Sequence, residues 1–405
     1  MTTKTTLPAG WRWVKLGEHT TKIGSGITPL GGHATYLSSG IPLIRSQNVL
    51  MNDFSYEGLV YISPEQDSQM EKSRVLPGDV LLNITGASIG RVSVAPSEIC
   101  PANVNQHVNI IRCDHTIWPK FLSFFISNPD FQKTIFDKQA GATRQALTKE
   151  QVENFEIPLP PLAEQQRIAA QLNEQMAAIA QARQAAEEQL RAARALPSVY
   201  LRDVVKNHVW KSVNLSFLCT IVRGSSPRPK GDPRYYGSDV PRLMVEDVTR
   251  DGMYVTPKVD FLTIEGSKLS RPMKKGDVVM VVSGAPGLPG ILAVDACIHD
   301  GFVGFRDLQT DKILQEFLYF ALQYYRSEND KEATGAIFRN LTTDQVGKFK
   351  IPIPEIAVQK EIILQLEDKL ESSKKLMSSL KAQLAEINRL PSALLRRAFA
   401  GEGPV

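Results

Sequence analysis

The stretch that decides the fold is GATRQALTKEQV at residues 141–152, because it returns as GAIFRNLTTDQV at residues 335–346. The two segments share Gly-Ala, Leu-Thr and Gln-Val at matching positions, with an offset of 194 residues. FEIPLP at 155–160 matches FKIPIP at 349–354 at the same offset. Self-similarity at a fixed long period indicates that one structural unit is written twice.

Further pairs extend the repeat over most of the chain. They are LPSVYLR at 196–202 with LPSALLR at 390–396, IPLIRSQNV at 41–49 with VPRLMVEDV at 240–248, and PGDVLL at 77–82 with KGDVVM at 275–280. Similarity is highest at the end of each copy and weakest in its middle. A shared frame with divergent middles predicts two domains of one fold that carry two different surfaces. The alternative is a duplicated domain with no binding role.

The first part of each copy has an α/β or mostly β pattern. Short apolar, β-rich runs at 41–49, 80–84 and 278–282 lie between Gly, Pro and Asp residues, which is typical of strands and turns. Gly-Asp-Val at 78–80 and at 276–278 predicts a turn that leads into a buried strand. The aromatic segments at 121–127 and 317–325 predict amphipathic helices that pack in the core.

Each copy ends in a segment that predicts a long helix. Residues 162–196 and 356–390 contain no Gly or Pro, and 35 helical residues would span about 52 Å. Pro197 and Pro391 interrupt the pattern, after which a kinked turn or two could resume. We therefore predict a first globular domain at 1–160, a spacer helix at 161–206, a second globular domain at 207–354 and a second helix at 355–405.

Apolar residues recur along both helices in alternating steps of three and four, which is the spacing of a coiled coil. The seam comprises Ile363, Leu366, Leu370, Met377, Leu380, Leu384 and Ile387 in the second helix, and Leu172, Met176, Ile179 and Leu190 in the first. Side chains of the first seam are smaller, so the two helices could pair as an antiparallel coiled coil. The two domains would then be held more than one turn of B-DNA apart, since that turn is about 34 Å.

Composition limits the class of protein. The 405 residues carry a net charge of +4, which permits nucleic-acid binding without demonstrating it. The four cysteines form no Cys-x-x-Cys pair, which is typical of a reduced, cytoplasmic protein. We find no signal peptide and no apolar run that could span a membrane.

Candidate DNA contacts are polar side chains on short segments, where amides and guanidinium groups can read base edges or bind phosphates. In the first domain they are Arg45, Gln47, Asn48, Asn83, Thr85, Ser88, Asn105, Gln106 and Arg144. In the second they are Arg223, Arg228, Lys230, Arg234, Lys274, Arg339 and Asn340. Glu246-Asp247 replaces the Gln47-Asn48 pair, as either a changed base preference or a purely structural exchange.

The sequence lacks the motifs that a catalytic role would require. The chain has no Asn/Asp-Pro-Pro-Tyr/Phe tetrapeptide of a methyltransferase and no P-loop, and the prolines in GAPGLPG at 284–290 argue against a nucleotide-binding loop. Cys100, His107, Cys113 and His115 lie close in sequence, but their spacing is poor for zinc and does not recur in the second copy. We expect no catalytic, cofactor or metal site in this chain.

The segment IPLPPLAEQQRI at 157–168, with GATRQAL before it and the Pro-Leu-Ile-Arg run at 42–45, resembles the specificity subunits of type I restriction–modification enzymes. The resemblance covers nearly the whole chain and both copies. The second copy departs from the signature at 352–359, where it reads PIPEIAVQ, but it keeps the proline alternation and Gln359.

That resemblance implies a function in DNA recognition. Each target-recognition domain would read one half of a bipartite double-stranded DNA site, and the helices would dock two methyltransferase subunits and set the gap. S-adenosylmethionine would belong to the methyltransferase subunits, and ATP and Mg to the restriction subunits. The alternatives are a scaffold that binds partner proteins through repeated domains and a true enzyme, either a fused methyltransferase or a nuclease, against which the absent motifs argue.

Overall fold

The computed structural model describes residues 7–137, 146–206, 210–284, 286–329 and 341–400. The chain divides into two compact units, Met1–Ala186 with Gln383–Val405 as the first and Glu187–Ala382 as the second. Each unit therefore combines most of one sequence copy with part of the long helix of the other copy.

The described part of the first unit forms the strands β1 Arg12–Lys15, β2 Thr20–Ser25, β3 Ile41–Ile44, β4 Val60–Ile62, β5 Arg74–Val75, β6 Val80–Asn83, β7 Val92–Val94, β8 Ala102–Val104, β9 Val108–Cys113 and β10 Glu156–Leu159. Its helices are α1 Pro64–Gln69, α2 Pro119–Ser127, α3 Pro129–Asp137, α4 Lys149–Glu153 and the start of α5 Leu162–Lys206.

The described part of the second unit forms the strands β11 Ser212–Asn214, β12 Thr220–Arg223, β13 Tyr236–Leu243, β14 Tyr254–Val255, β15 Asp260–Leu262, β16 Arg271–Met273, β17 Val278–Val281, β18 Pro289–Leu292, β19 Ala296–Ile298, β20 Phe302–Arg306 and β21 Lys350–Pro352. Its helices are α6 Val245–Asp251, α7 Ile264–Leu269, α8 Gln315–Asn329, α9 Thr343–Gly347 and the start of α10 Ile356–Phe399.

The two units share one sheet topology. The first has sheets in the orders β2-β9-β6-β7 and β4-β3-β8-β5, and the second has β12-β20-β17-β18-β14 and β15-β13-β19-β16. In each unit the second of these sheets has one parallel pair, β3 with β8 and β13 with β19. Each unit also has a separate two-stranded antiparallel ribbon, β1 with β10 in the first and β11 with β21 in the second. The match is strand for strand apart from β14, so the predicted α/β class and internal repeat are confirmed.

The repeated sequence motifs have local structural reasons. Thr148 and Gln151 form a capping box at the start of α4, and Thr342 and Gln345 form the same box at α9. Each hydroxyl and each amide satisfies a backbone N–H that has no partner within the helix. This reciprocal bonding explains why Leu-Thr-x-x-Gln-Val occurs in both copies.

The Gly-Asp-Val segments form the predicted turns. Gly78 has a φ of 84° and Gly276 a φ of 89°, in the left-handed region that favours glycine. Asp79 Oδ2 accepts a hydrogen bond from the Leu76 amide at 2.7 Å, and Asp277 Oδ2 accepts one from the Lys274 amide at 2.8 Å. Each turn leads into a strand that is buried throughout, β6 or β17.

The long helices complete both hydrophobic cores. In the first unit, Ile168 and Leu172 of α5 share a core cluster with Leu395 and Phe399 of α10. In the second unit, Leu201 of α5 shares a cluster with residues near the start of α10, including Leu366. Within each unit, the start of one helix therefore lies with the end of the other, as an antiparallel pair requires.

The predicted seam lies on the less exposed side of each helix. Leu172, Leu190, Ile363, Leu366 and Leu380 are buried. The remaining seam residues are half-buried, namely Met176, Ile179, Leu370, Met377, Leu384 and Ile387. Burial along one stripe in steps of three and four agrees with coiled-coil packing.

Both helices continue through their prolines, which differs from the predicted interruption. Helix α5 has 45 residues and contains Pro197, and α10 has 44 residues and contains Pro391. Proline removes a backbone donor and its ring crowds the preceding turn. Core packing beyond the prolines, at Leu201 and Phe399, offsets that cost. Among the described residues, no helix is long and apolar enough to cross a membrane.

Candidate nucleic-acid interface

One cluster of predicted residues in the first unit forms where the loop after β2 meets the turn between β8 and β9. Thr28 Oγ1 donates a hydrogen bond to Gln106 Oε1 at 2.5 Å, and the Gln106 side chain is exposed. Gly26 lets the loop pass this close, because a Cβ there would lie 1.7 Å from the Val104 carbonyl oxygen. Loop and turn therefore meet in one surface that presents the exposed Gln106 side chain.

His107 connects this surface to the loop after β6. Its Nε2 lies 3.1 Å from Gln106 Nε2, and its Nδ1 lies 2.6 Å from Thr85 Oγ1. Thr85 and Gln106 therefore contact opposite nitrogens of one imidazole ring. The Asn105 side chain accepts from the His107 amide at 3.1 Å. The structure thus brings together Thr85, Asn105 and Gln106, while Ser88 follows three residues beyond Thr85 and is half-buried.

Arg45 and Gln47 lie on a neighbouring loop and face a common backbone group. Arg45 Nη2 donates to the Gly58 carbonyl at 2.6 Å, and Gln47 Nε2 lies 3.4 Å from the same oxygen. The Arg45 guanidinium also lies 5.6 Å from the centre of the Tyr36 ring. Gln47 is exposed, whereas Arg45 is half-buried and largely occupied by these contacts.

Two of the residues that were predicted to contact DNA are buried and have structural roles instead. Asn48 is fully buried, accepts from the Arg45 amide at 3.0 Å and donates to the Ser55 carbonyl at 2.9 Å. Asn83 is also fully buried and donates to the Ser46 carbonyl at 2.8 Å. A base cannot reach either side chain in this conformation, because both amides stabilise backbone segments inside the unit.

The Asp247 carboxylate has the same structural role as Asn48. It is fully buried and accepts from the Met244 amide at 3.0 Å, as Asn48 accepts from Arg45. It also accepts from Arg250 and from the Lys258 amide. Of the two interpretations of the Glu246-Asp247 pair, the structural one therefore fits Asp247, while Glu246 is exposed like Gln47.

The second unit repeats the contact between loop and turn with different side chains. Ser226 Oγ donates to Asp300 Oδ1 at 2.7 Å, at the positions equivalent to Thr28 and Gln106. Gly224 replaces Gly26, and a Cβ there would lie 1.9 Å from the His299 carbonyl oxygen. The hydrogen bond from Ser226 is the main reason why the pKa of Asp300 lies below its usual value.

The basic loop before β13 presents its cations unevenly. Arg228 is exposed and lies 3.4 Å from Asp300, and Lys230 is exposed. Arg234 is exposed but pairs with Asp232 at 2.7 Å. That pairing lowers the pKa of the Asp232 carboxyl. Arg228 and Lys230 are therefore the most accessible predicted phosphate ligands in the described part of this loop.

Arg223 differs from the prediction because its guanidinium bonds to backbone. It donates to the Asp300 carbonyl at 2.9 Å and to the Leu341 carbonyl at 2.8 Å. These contacts hold the turn between β19 and β20 against a distant part of the chain. Arg223 is consequently a positioning residue for Asp300 in this conformation.

Lys274 does not belong to the same cluster. It lines a cavity of about 510 Å³ with Asp277, Asp295 and Arg306. Arg306 ends β20, whereas Asp300 precedes its start, so the length of a five-residue strand separates the two sites, about 17 Å. The three remaining predictions, Arg144, Arg339 and Asn340, lie outside the described residues.

Sequence reasoning missed several residues that build these surfaces. Arg242 is buried, pairs with Asp260 and donates to Ser226 Oγ at 2.8 Å. His299 Nδ1 accepts from the Gly301 amide at 2.9 Å, and burial is the largest cause of its lowered pKa. The repeat alignment held the available signal, because it places Asp300 opposite Gln106.

Comparison with known proteins identifies the family. Residues 8–188 and 208–386 each match the family model of the type I restriction modification DNA specificity domain. The chain belongs to this family. The two matches cover both copies of the repeat, so both are specificity domains.

Relatives with curated names are similar over most of their length. The putative type I restriction enzyme MjaX specificity subunit of Methanocaldococcus jannaschii is 22% identical, over 81% of this chain and 80% of the relative. The type I restriction enzyme EcoKI specificity subunit of Escherichia coli is 22% identical, over 98% of this chain and 90% of the relative.

Solved structures share the fold of the specificity domain pair. The HsdS subunit from Thermoanaerobacter tengcongensis matches with a TM-score of 0.68 and 22% identity, covering 98% of this chain and 99% of that one. A structure from work on complex assembly and conformational transition of a type I restriction–modification system matches with a TM-score of 0.74, at the same identity and coverage. The predicted family and two-domain fold are therefore confirmed.

Proposed function

We propose that this chain selects the DNA sequence for a type I restriction–modification complex, with each unit reading one half of a bipartite double-stranded site. It has no catalytic role of its own in this proposal. Methyltransferase subunits would bind S-adenosylmethionine, and restriction subunits would use ATP and Mg.

One observation carries the proposal. The two units keep the same strand order and the same hydroxyl contact between loop and turn, yet the exposed groups at that contact differ. A constant frame with changed donors and acceptors is what two readers of different sequences need, because base identity is read from donor and acceptor patterns.

The helices would dock two methyltransferase subunits and set the gap between the half-sites. Their lengths of 45 and 44 residues support this role, as about 66 Å of helix exceeds one turn of B-DNA.

The test is modified-base sequencing of DNA from cells that express this chain with its methyltransferase partner. Cells that lack only this chain are the control. We expect methylation of one split, adenine-containing motif in the first case and its loss in the second. Identical methylation patterns, with the partner shown to be active, would contradict the proposal.

A protein-binding scaffold is the second candidate, and Leu30 favours it. This side chain is 84% exposed on the loop after β2, near Ile27 at 53%. Binding of DNA with a strong salt dependence would separate the two functions, since neutralised phosphates release counterions. A scaffold would bind its protein partner without that dependence on DNA charge.

A further inference from the structure

Gln106 and Asp300 occupy the same place in the two units. The register of β3 with β8 and of β13 with β19 makes Asn103 equivalent to Cys297, which aligns Gln106 with Asp300 three residues later. Each accepts a hydrogen bond from a hydroxyl on the preceding loop. Their positions are therefore fixed by the same contacts.

The buried neighbours of these two residues keep their roles although their identities change. Asn105 accepts a hydrogen bond from the backbone amide two residues ahead, and His299 does the same through Nδ1. Both are largely buried, whereas Gln106 is exposed and the Asp300 side chain is 55% exposed. The exposed residue that differs between the two turns is therefore Gln106 in the first unit and Asp300 in the second, while the buried residue before it keeps its structural role.

The exposed groups differ in what they can bind. The Gln106 amide has both a donor and an acceptor, which matches the N6 and N7 positions of adenine. An ionised carboxylate only accepts, so it can bind the amine of cytosine or adenine in the major groove. It is repelled by guanine and thymine oxygens at the same place.

Cations beside Asp300 provide the complementary contact. Arg228 lies 3.4 Å from its carboxylate, and Lys230 is exposed two residues later on the same loop. A base reader next to phosphate ligands is the combination that DNA-binding surfaces use, since phosphate contacts fix the register at which a base is read.

We propose that Gln106 and Asp300 are specificity-determining residues, one for each half-site. Gln106 selects adenine at one position. Asp300 selects a base that presents an amine in the major groove, with cytosine preferred over adenine. This inference rests on the proposed function as a DNA-reading subunit.

The test uses two nearly isosteric variants, Gln106→Glu and Asp300→Asn, in the full chain assembled with its methyltransferase partner. Glu keeps the acceptor for Thr28 and removes the donor, while Asn keeps an acceptor for Ser226 and adds a donor. Gln69→Glu in α1 and Asp311→Asn after β20 are matched controls at exposed positions. Methylation motifs are sequenced, and binding is measured on duplexes that carry each of the four bases at every half-site position.

Each variant should change base preference by about tenfold at a single position of one half-site and leave the other half-site unaltered. The controls should keep the wild-type motif. An unchanged preference, or an equal loss of binding for all four bases, would overturn the inference. If the wild-type chain itself does not alter methylation, the proposed function fails instead, so the two failures are distinguishable.

Discussion

The side chain of Gln165 accepts a hydrogen bond from the Trp118 backbone amide at 2.8 Å. Its amide nitrogen donates to the carbonyls of Thr116 and Pro160, both at 2.9 Å. Gln359 makes the equivalent three bonds, to Leu314, Lys312 and Pro354. Both glutamines are fully buried, so one side chain in each copy fixes the start of a long helix to its unit.

Replacing this anchor should destabilise the unit that contains it. Gln165→Leu leaves three backbone groups without their partner, and we expect a loss of about 3 kcal/mol in the free energy of unfolding. Chemical denaturation of the purified protein measures the loss. The adjacent exposed residue provides the control, since Gln166→Leu should change stability little. Equal effects of the two substitutions would contradict the anchoring role.

Phe399 should matter to the core of the first unit despite its distance in sequence. Its ring centre lies 5.4 Å from Phe121 and 5.3 Å from Phe125. We expect Phe399→Ala to cost about 3 to 5 kcal/mol of unfolding free energy, because it opens a cavity among aromatic side chains. Leu364→Ala, at a 68% exposed position, is the comparison in the same unfolding experiment. A stability close to wild type would contradict this packing.

The basic loop should contribute to the salt dependence of DNA binding. Arg228→Gln combined with Lys230→Gln removes two exposed cations, so the slope of log K against log salt should become shallower by about 1.8. Titration of DNA at several salt concentrations gives the slope. Lys374→Gln combined with Lys375→Gln is the matched control, because it removes the same charge from exposed positions of α10, outside this loop. If the slope becomes equally shallow in the control, the cations contribute through overall charge and not at a defined site.

Asp251 should make stability depend on pH in the acid range. Hydrogen bonding and pairing with Arg250 lower its pKa to about 2, from a usual value near 3.8. A lowered folded-state pKa stabilises the protein above the unfolded-state value, and that stability is lost as pH falls from about 4 to about 2. The free energy of unfolding of the wild type and of Asp251→Asn, compared at pH 6 and at pH 2.5, measures this loss of stability. We expect the stability difference to be smaller at the lower pH; a constant difference would exclude this linkage.

Helix length should set the gap of the recognition sequence. Removing one heptad from each helix shortens the pair by about 10 Å, which corresponds to about three base pairs. We expect sequencing of the methylated motif to show a shorter gap with both half-sites intact. Removing the heptad from only one helix is the control, because the two seams then differ in length and no longer match along the pair. Altered half-site bases after the matched deletion would count against a spacing role.

The sequence predicted what depends on neighbours along the chain. The Gly-Asp-Val turns and the long helices follow from spacing over a few residues, and the repeat supplied each one twice. Their physical causes are left-handed glycines and apolar periodicity. These effects act locally, so a single sequence is enough to find them.

The sequence could not separate reading residues from structural ones, because their partners lie far away along the chain. Asn83 looks like an accessible loop amide, but it bonds to Ser46, 37 residues earlier. Arg223 looks like a phosphate ligand, but it bonds to Leu341, 118 residues later. Only the fold decides whether a polar side chain is already satisfied or remains free for a ligand.

The sharing of helices between the two cores has a consequence for synthesis on the ribosome. Unit 2 is one continuous segment, Glu187–Ala382, whereas the core of unit 1 needs Leu395 and Phe399. At about 5 to 20 residues per second, translation of the intervening 196 residues takes about 10 to 40 s. The half of the protein that is made first must wait through that interval with part of its apolar surface uncovered, while the half made second can close as soon as it emerges.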